Sequence, residues 1–237
     1  MDNLERREIL EKISYFLNEE NPSTTEARVR GKLHQIATVN QEFILTARKD
    51  KEFKEILNNC DLNTADSMGI GFAFWRLGEK LKYRIAGIDL MWEILRIAND
   101  KKMKVFLAAN SNGLSTWEET KEAINKIFPE LQIEGVNLNK ENPNCQLPIT
   151  NYQIVFCNFG APYQEKFLNS QKSDKIKLAL GVGGSFDFIT EKLKRAPLWM
   201  RKFGLEWLFR LIQQPKRIKR ICRAVIIFPL KLIIIKK

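Results

Sequence analysis

The sequence predicts an α/β protein: a Rossmann-like sheet-and-helix body with a basic, amphipathic helical appendage at its C-terminal end. Three observations carry this. Short apolar runs alternate with segments of helical periodicity along the first 190 or so residues. Two of the runs end on polar residues, Asn40 and Asp66, at the strand edge where open α/β sheets place their ligands. From about residue 197 the pattern becomes helical and strongly basic.

Taken in order, residues 4–19 form an amphipathic helix with Ile9, Ile13, Phe16 and Leu17 on one face. A polar linker, ENPSTTEARVRG, leads to the first strand, KLHQIATV, which ends at Asn40. Helices follow at 41–49 and 51–58, and then a short strand, DLNTA, ends at Asp66. Further strands are expected at 103–109, 131–136, 153–158 and 176–182, with helices at 87–99, 114–127 and 162–170. Residues 137–151 have turn chemistry and little pattern, and read as a loop.

At 237 residues and 44% apolar, the chain can bury a substantial core. The formal charge of +11 is unevenly spread: residues 192–237 hold fourteen lysines and arginines against the single acid Glu206, a net +13, which leaves −2 for residues 1–191. The division is therefore drawn there, with a catalytic body over 1–191 and an appendage over 192–237. In the appendage Ile218, Ile221, Cys222, Val225, Phe228 and Leu232 fall on one side at 100° per residue, and Lys216, Lys219, Arg220 and Arg223 on the other. Basic opposite apolar is what a helix lying in an anionic membrane surface needs, and docking of the apolar stripe on the body is the alternative. Pro229 argues against one unbroken helix to the end. The apolar run 224–235 is too short to cross a bilayer, which takes roughly 20 residues.

The basic residues lie beside an aliphatic stripe, not among stacking aromatics, which favours lipid over nucleic acid. A non-catalytic adaptor at a membrane surface is the other competing reading. The N-terminal MDNLERREILEKI is charged throughout, unlike a signal peptide. Cys60, Cys145, Cys157 and Cys222 are scattered, and His34 is the single histidine, so no metal cluster is expected and reduced thiols are the simpler state.

Asp66 at its strand end has two readings, a general base or a cap for the following helix. GIGFAF at 69–74 and GVGGSF at 181–186 both lack the third glycine of a dinucleotide fingerprint, and either marks a turn beside a phosphate or a place of tight packing. Gly183 in the second cluster and Asp187 just after it are candidate ligand contacts. Arg195, Arg210 and Arg217 can each pair with a diphosphate, or form a solvated basic face.

The ordered segments ATVNQEF, TADSMGIG, RIAGIDL, NFGAPYQE, GVGGSFDF, KRAPLWM and GLEWLFRLIQQPKR, spread over residues 36–217, resemble the WecG/TagA/CpsF family, glycosyltransferase family 26. The resemblance implies an inverting transfer of a sugar, typically N-acetylmannosamine, from its UDP carrier to polyprenyl-diphosphate-linked N-acetylglucosamine, for wall teichoic acid, common antigen or capsule. It implies Asp66 as the base, and Thr38, Asn40, Arg84 and Gln164 as substrate contacts. It also implies a basic appendage that reaches the inner face of the cell membrane, with Arg217, Arg220 and Arg223 closing the site, and members that associate as homo-oligomers. Ser67, Ala109-Asn110, Tyr163 and Glu191 depart from the family pattern, Glu191 standing where glycine is common. The chemistry is consistent with the residues: a single displacement needs one base, no Asp-x-Asp sequence is present to hold a divalent ion, and the basic tail can offset the charge on departing UDP without a cofactor.

Overall fold

The computed structural model describes residues 1–18, 33–141, 147, 151–171 and 175–234. Its centre is one six-stranded sheet, β1 (His34–Val39), β2 (Leu62–Ala65), β3 (Val105–Asn110), β4 (Ile133–Leu138), β5 (Ile154–Cys157) and β6 (Leu178–Gly181), in the order β2-β1-β6-β5-β3-β4. Every pairing is parallel, with Ile36 opposite both Leu62 and Leu180, and Leu107 opposite both Gly135 and Phe156. All six strands therefore deliver their C-terminal ends to one edge.

Alternation along the strands sorts the core onto the two sheet faces. Ile36, Val105, Leu107, Ile154, Phe156, Leu178 and Leu180 face α1 (Arg6–Asn18) and α5 (Gly87–Asp100), which bury Ile9, Ile13 and Leu17, and Leu90, Met91 and Ile94 against them. Their neighbours Phe106, Ala108, Val155, Cys157 and Ala179 face Phe167 and Leu168 of α7 (Tyr163–Ser170). Ala37 and Val39 complete that face with Phe43 of α2 (Gln41–Ala47), Phe53 and Leu57 of α3 (Lys51–Asn59), and Ile70 and Ala73 of α4 (Met68–Arg76). Between β4 and β3 lies α6 (Trp117–Asn125), begun by a capping box of Thr116 and Glu119.

The expected elements are present within a few residues, β4 running to Leu138 and so into the stretch read as loop. The linker at 20–31 and most of residues 142–150 lie outside the described residues. Of the two readings of GIGFAF, tight packing holds: it lies within α4 and forms no phosphate turn. Its Gly69 lies against the Gln41 side chain, which would have to move for an added Cβ, 2.0 Å from its amide nitrogen.

The tail begins where Leu193 N–H returns to the Asp187 carbonyl, after the short α8 (Ser185–Ile189). Here Glu191 adopts φ 59°, a left-handed conformation that costs an L-residue about 1 kcal/mol and that glycine adopts without that cost. Arg195 then clamps Asp89 of α5 through two bonds of 2.6 and 2.7 Å. Two helices follow, α9 (Leu198–Lys202) and α10 (Glu206–Gln213). A 3-10 turn (Pro215–Arg217), α11 (Ile218–Cys222), a π-helical turn (Arg223–Ile227) and α12 (Phe228–Ile234) complete the tail. Pro229 does not end the helix. The turn before it is widened, Phe228 N–H reaching back to the Arg223 carbonyl, so the ring avoids the clash it would make in a regular helix.

The apolar stripe read as membrane-facing is turned largely toward the body. Phe228 is 1% exposed in the core formed with Phe43, Phe53 and Ile70, Leu232 packs beside it, and only Ile218 of the stripe is left at 46%. A second row, Ile226, Leu230, Ile233 and Ile234, is more than half exposed on the outside.

Phe228→Ala removes the central anchor, and losses on the order of 3 kcal/mol are usual for a buried phenylalanine. Amide exchange over residues 218–234 is expected to accelerate in this variant while β1 and β6 stay protected. Unchanged exchange in the tail would mean that Phe228 does not hold it.

Candidate active site

The strand ends, α2, α4, α5 and the tail enclose a cavity of about 500 Å³. Thr38, Asn40, Asp66, Arg84, Gln164, Gly183, Asp187, Arg217 and Arg220 all line it, so nine of the ten residues singled out in the sequence converge there. Arg223 does not. It is exposed at the start of the π turn, because the cavity side of the tail recurs at 210, 214, 217, 220/221 and 224, and position 223 is about 100° away from the last of these.

Asp66 follows β2 directly. Its Oδ1 accepts from Gly87 N–H at 3.0 Å, the first residue of α5, while Arg84 donates to the Asp66 carbonyl at 3.2 Å. The carboxylate thus caps α5 and not the helix that comes next in sequence, whose N-cap is Ser67. One oxygen is held and the other faces the cavity. Burial raises the pKa of Asp66, and the Gly87 bond opposes that rise; the negative charge of Glu206 adds to it, against Arg210 and Arg84.

Several candidates prove to shape the site. Asn40 Oδ1 accepts from Glu42 and Phe43 N–H and so caps α2. Thr38 is buried, its hydroxyl 3.5 Å from the Gly181 carbonyl. Gln164, 2% exposed, has both ends of its amide engaged: Oε1 accepts from Gly160 and Gly183 N–H at 2.9 and 3.0 Å, and Nε2 donates to Glu165 Oε1 at 2.7 Å. It therefore staples the β5 loop to the β6 loop. Gly160 and Gly183 both have positive φ, 77° and 49°, and an added Cβ at either would meet open space. Asp187 takes a 2.9 Å bond from the Ser115 hydroxyl, and burial raises its pKa.

One buried acid escaped the sequence reading, and one arginine weighed there as a diphosphate partner lines the cavity. Glu165 is fully buried with Oε2 lacking any hydrogen bond, and burial pushes its carboxyl up to about 7. Arg210, weighed only as one of several tail arginines, lies over the Phe188 ring at 4.9 Å, with Nε buried and unbonded. Burial lowers its pKa, and burial followed by the charges of Arg210 and Arg220 lowers Arg217 to about 10. Arg220 is tied to Glu42. Arg210 lies in α10 and Arg217 ends the 3-10 turn, with the non-helical Gln214 between them, and both line the cavity. Nothing in an acid following Gln164 announces burial.

On the opposite flank, Asn110 N–H donates to Asn158 Oδ1 at 2.6 Å where β3 and β5 lie side by side. The chain leaves β3 toward β4 and leaves β5 toward β6, so this is the switch point at which such sheets open a crevice. Among the described residues no group of three or more His, Cys, Asp or Glu side chains is placed to hold a metal ion.

A parallel sheet whose edge combines a carboxylate with mutually repelling, desolvated arginines presents cations to an anionic ligand beside that carboxylate. The chain belongs to the WecG/TagA/CpsF family of glycosyl transferases, whose model matches residues 2–237. It is similar to the N-acetylglucosaminyldiphosphoundecaprenol N-acetyl-beta-D-mannosaminyltransferase of Bacillus subtilis, 33% identical over 190 residues that cover 78% of this chain and 73% of the relative. The Staphylococcus aureus protein of the same description is 30% identical over 202 residues, 83% of this chain and 78% of the relative.

The buried Glu165 carries a pH signature. Folded, it keeps its proton to about pH 7, whereas the unfolded chain releases it near 4.5, so between those values the folded state binds more protons and loses stability as pH rises. Urea unfolding from pH 5 to 8 should show the native protein falling behind Glu165→Gln by on the order of 3 kcal/mol. Parallel curves would show that Glu165 is not held neutral.

Proposed function

We propose that the protein transfers N-acetylmannosamine from UDP-N-acetylmannosamine to N-acetylglucosamine carried on undecaprenyl diphosphate, with inversion, for a cell-envelope polysaccharide. The observation that carries this reading is the free oxygen of Asp66 facing a cavity lined by Arg210 and Arg217, in a chain whose relatives bear that activity in their descriptions.

In this reading Asp66 accepts the proton of the acceptor hydroxyl as its oxygen forms a bond to the anomeric carbon of the donor. The bond from that carbon to the diphosphate breaks, and UDP leaves with the electron pair. The Gly87 bond holds Asp66 in one orientation, and its raised pKa makes it a stronger base than an exposed aspartate. Arg210, Arg217 and Arg220 meet the charge on the leaving diphosphate. Their mutual repulsion in the absence of an anion becomes attraction when one is bound. Thr38, Asn40, Arg84, Gly183 and Asp187 line the donor and acceptor space, while Gln164 fixes the two loops that form its floor.

The acceptor's lipid requires work at a membrane surface, and this reading places the protein peripherally on the inner face of the cell membrane. No helix among the described residues is long and apolar enough to cross a membrane. The outer row Ile226, Leu230, Ile233 and Ile234, with exposed Lys219 and Arg223 and with Trp199 and Phe203 at 57% and 77%, supplies apolar and cationic groups for that surface.

Asp66→Asn retains an oxygen for Gly87 and should fold normally, yet lose on the order of 10²–10⁴ in kcat. In the native protein the acidic limb of the rate profile should lie above the ordinary aspartate range. Turnover near the native rate in the variant would remove Asp66 from the mechanism. A second expectation concerns the surface: glutamates at Ile226, Leu230 and Ile233 should abolish sedimentation with anionic liposomes while leaving circular dichroism and UDP affinity intact. Undiminished liposome binding would assign the membrane contact elsewhere.

A further inference from the structure

The tail wall of the cavity contains residues that the mechanism above does not use. Gly204, at φ 74°, turns the chain between α9 and α10 and lies against Met68, an added Cβ being 3.4 Å from its Cγ. Met68 stands two positions after Asp66, so the first turn of α10 is suspended beside the catalytic carboxylate. That turn presents Glu206 and Trp207 to the cavity, and Gln214 follows on the same side two turns later. The negative charge of Glu206 is felt at Asp66 and at Arg210.

Besides Arg210 Nε, two polar atoms on this wall have no partner. Gln214 Oε1 and Arg201 Nε are buried without a hydrogen bond, although both residues line the cavity. Leaving such groups unmet is costly, and a polar ligand is the ordinary remedy in a cavity. An indole face, a carboxylate and a carboxamide are the groups that recognise a pyranose: the ring's apolar face lies on the aromatic, and its hydroxyls donate to the carboxylate and bond the amide.

Position along the sheet decides which sugar. The crevice between β3 and β5 suits the nucleotide, and β1 and β6 separate it from β2, a span of about 14 Å at the usual strand spacing. Asp66 ends β2 and has to face the hydroxyl it deprotonates, so the wall above it faces the acceptor. We infer that Glu206, Trp207 and Gln214 form the subsite for the acceptor's pyranose, holding its reactive hydroxyl against Asp66. This rests on the transferase reading given above and adds the residues that select the acceptor.

The test uses the full-length protein, UDP-N-acetylmannosamine and farnesyl-diphosphate-linked N-acetylglucosamine as a water-dispersible acceptor. Glu206→Gln, Trp207→Ala and Gln214→Leu are each expected to raise the KM for acceptor about tenfold or more. The Kd for UDP, by calorimetry, should stay within twofold of the native value. Trp207→Phe, which keeps a stacking face, should recover most of the acceptor affinity even if Trp207→Ala proves unstable. Weakened UDP binding with unchanged acceptor KM would give the wall to the donor and overturn the inference, as would variants unchanged in both. A native protein that neither binds UDP nor turns over would instead defeat the transferase reading itself, an outcome separable because it needs no variant.

Discussion

The site exists because the tail is pinned at two points. At one end Arg195 grips Asp89 through both guanidinium nitrogens, and at the other Phe228 is immersed among α2, α3 and α4. Between these anchors the tail helices span the strand ends and become a wall of the cavity. The body's strands bring Asp66, Thr38 and Asn40 to one edge, but four of the cavity's arginines and its unmet polar atoms come from the tail. A basic stretch that looks like an accessory in the sequence is thus an integral part of the cavity.

Charge is distributed to leave the empty site unsatisfied. Burial depresses both Arg210 and Arg217, the charge of Arg210 depressing Arg217 further, and Glu206 is close enough to add to the rise that burial gives Asp66. A diphosphate would relieve the first pair and a proton from the acceptor would relieve the second. Binding and chemistry then draw on the same tension, which folding has already built in. Beneath it lies the Gln164 staple, which leaves the loops at Gly160 and Gly183 little freedom to drift apart as ligands come and go.

Much of this was legible from residues. The strands announced themselves as apolar runs, and Asp66 and Asn40 as polar residues at strand ends. The glycines of α4 left a turn and tight packing open, and only the Gln41 side chain lying against Gly69 decides for packing. The tail's stripe was found correctly but given the wrong neighbour: periodicity says which residues share a side and not what that side meets. Arg223 entered with Arg217 and Arg220 through the family resemblance, but it is exposed and does not line the cavity. Glu165 could not be found this way, since burial of an acid depends on strands distant in sequence. The departure at Glu191 became intelligible only through its backbone angle.

The widened turn at Arg223–Ile227 and the proline two residues beyond it depend on each other. A helix with one residue to spare can host a proline, and a proline gives the spare residue its purpose. Lose the ring by point mutation and the surplus remains as a flaw in the hydrogen-bond ladder; lose the surplus by deletion and the ring collides with the carbonyl four residues before it. Neither change alone leads back to a regular helix at no cost, so the two features behave as a ratchet, inherited together or discarded together.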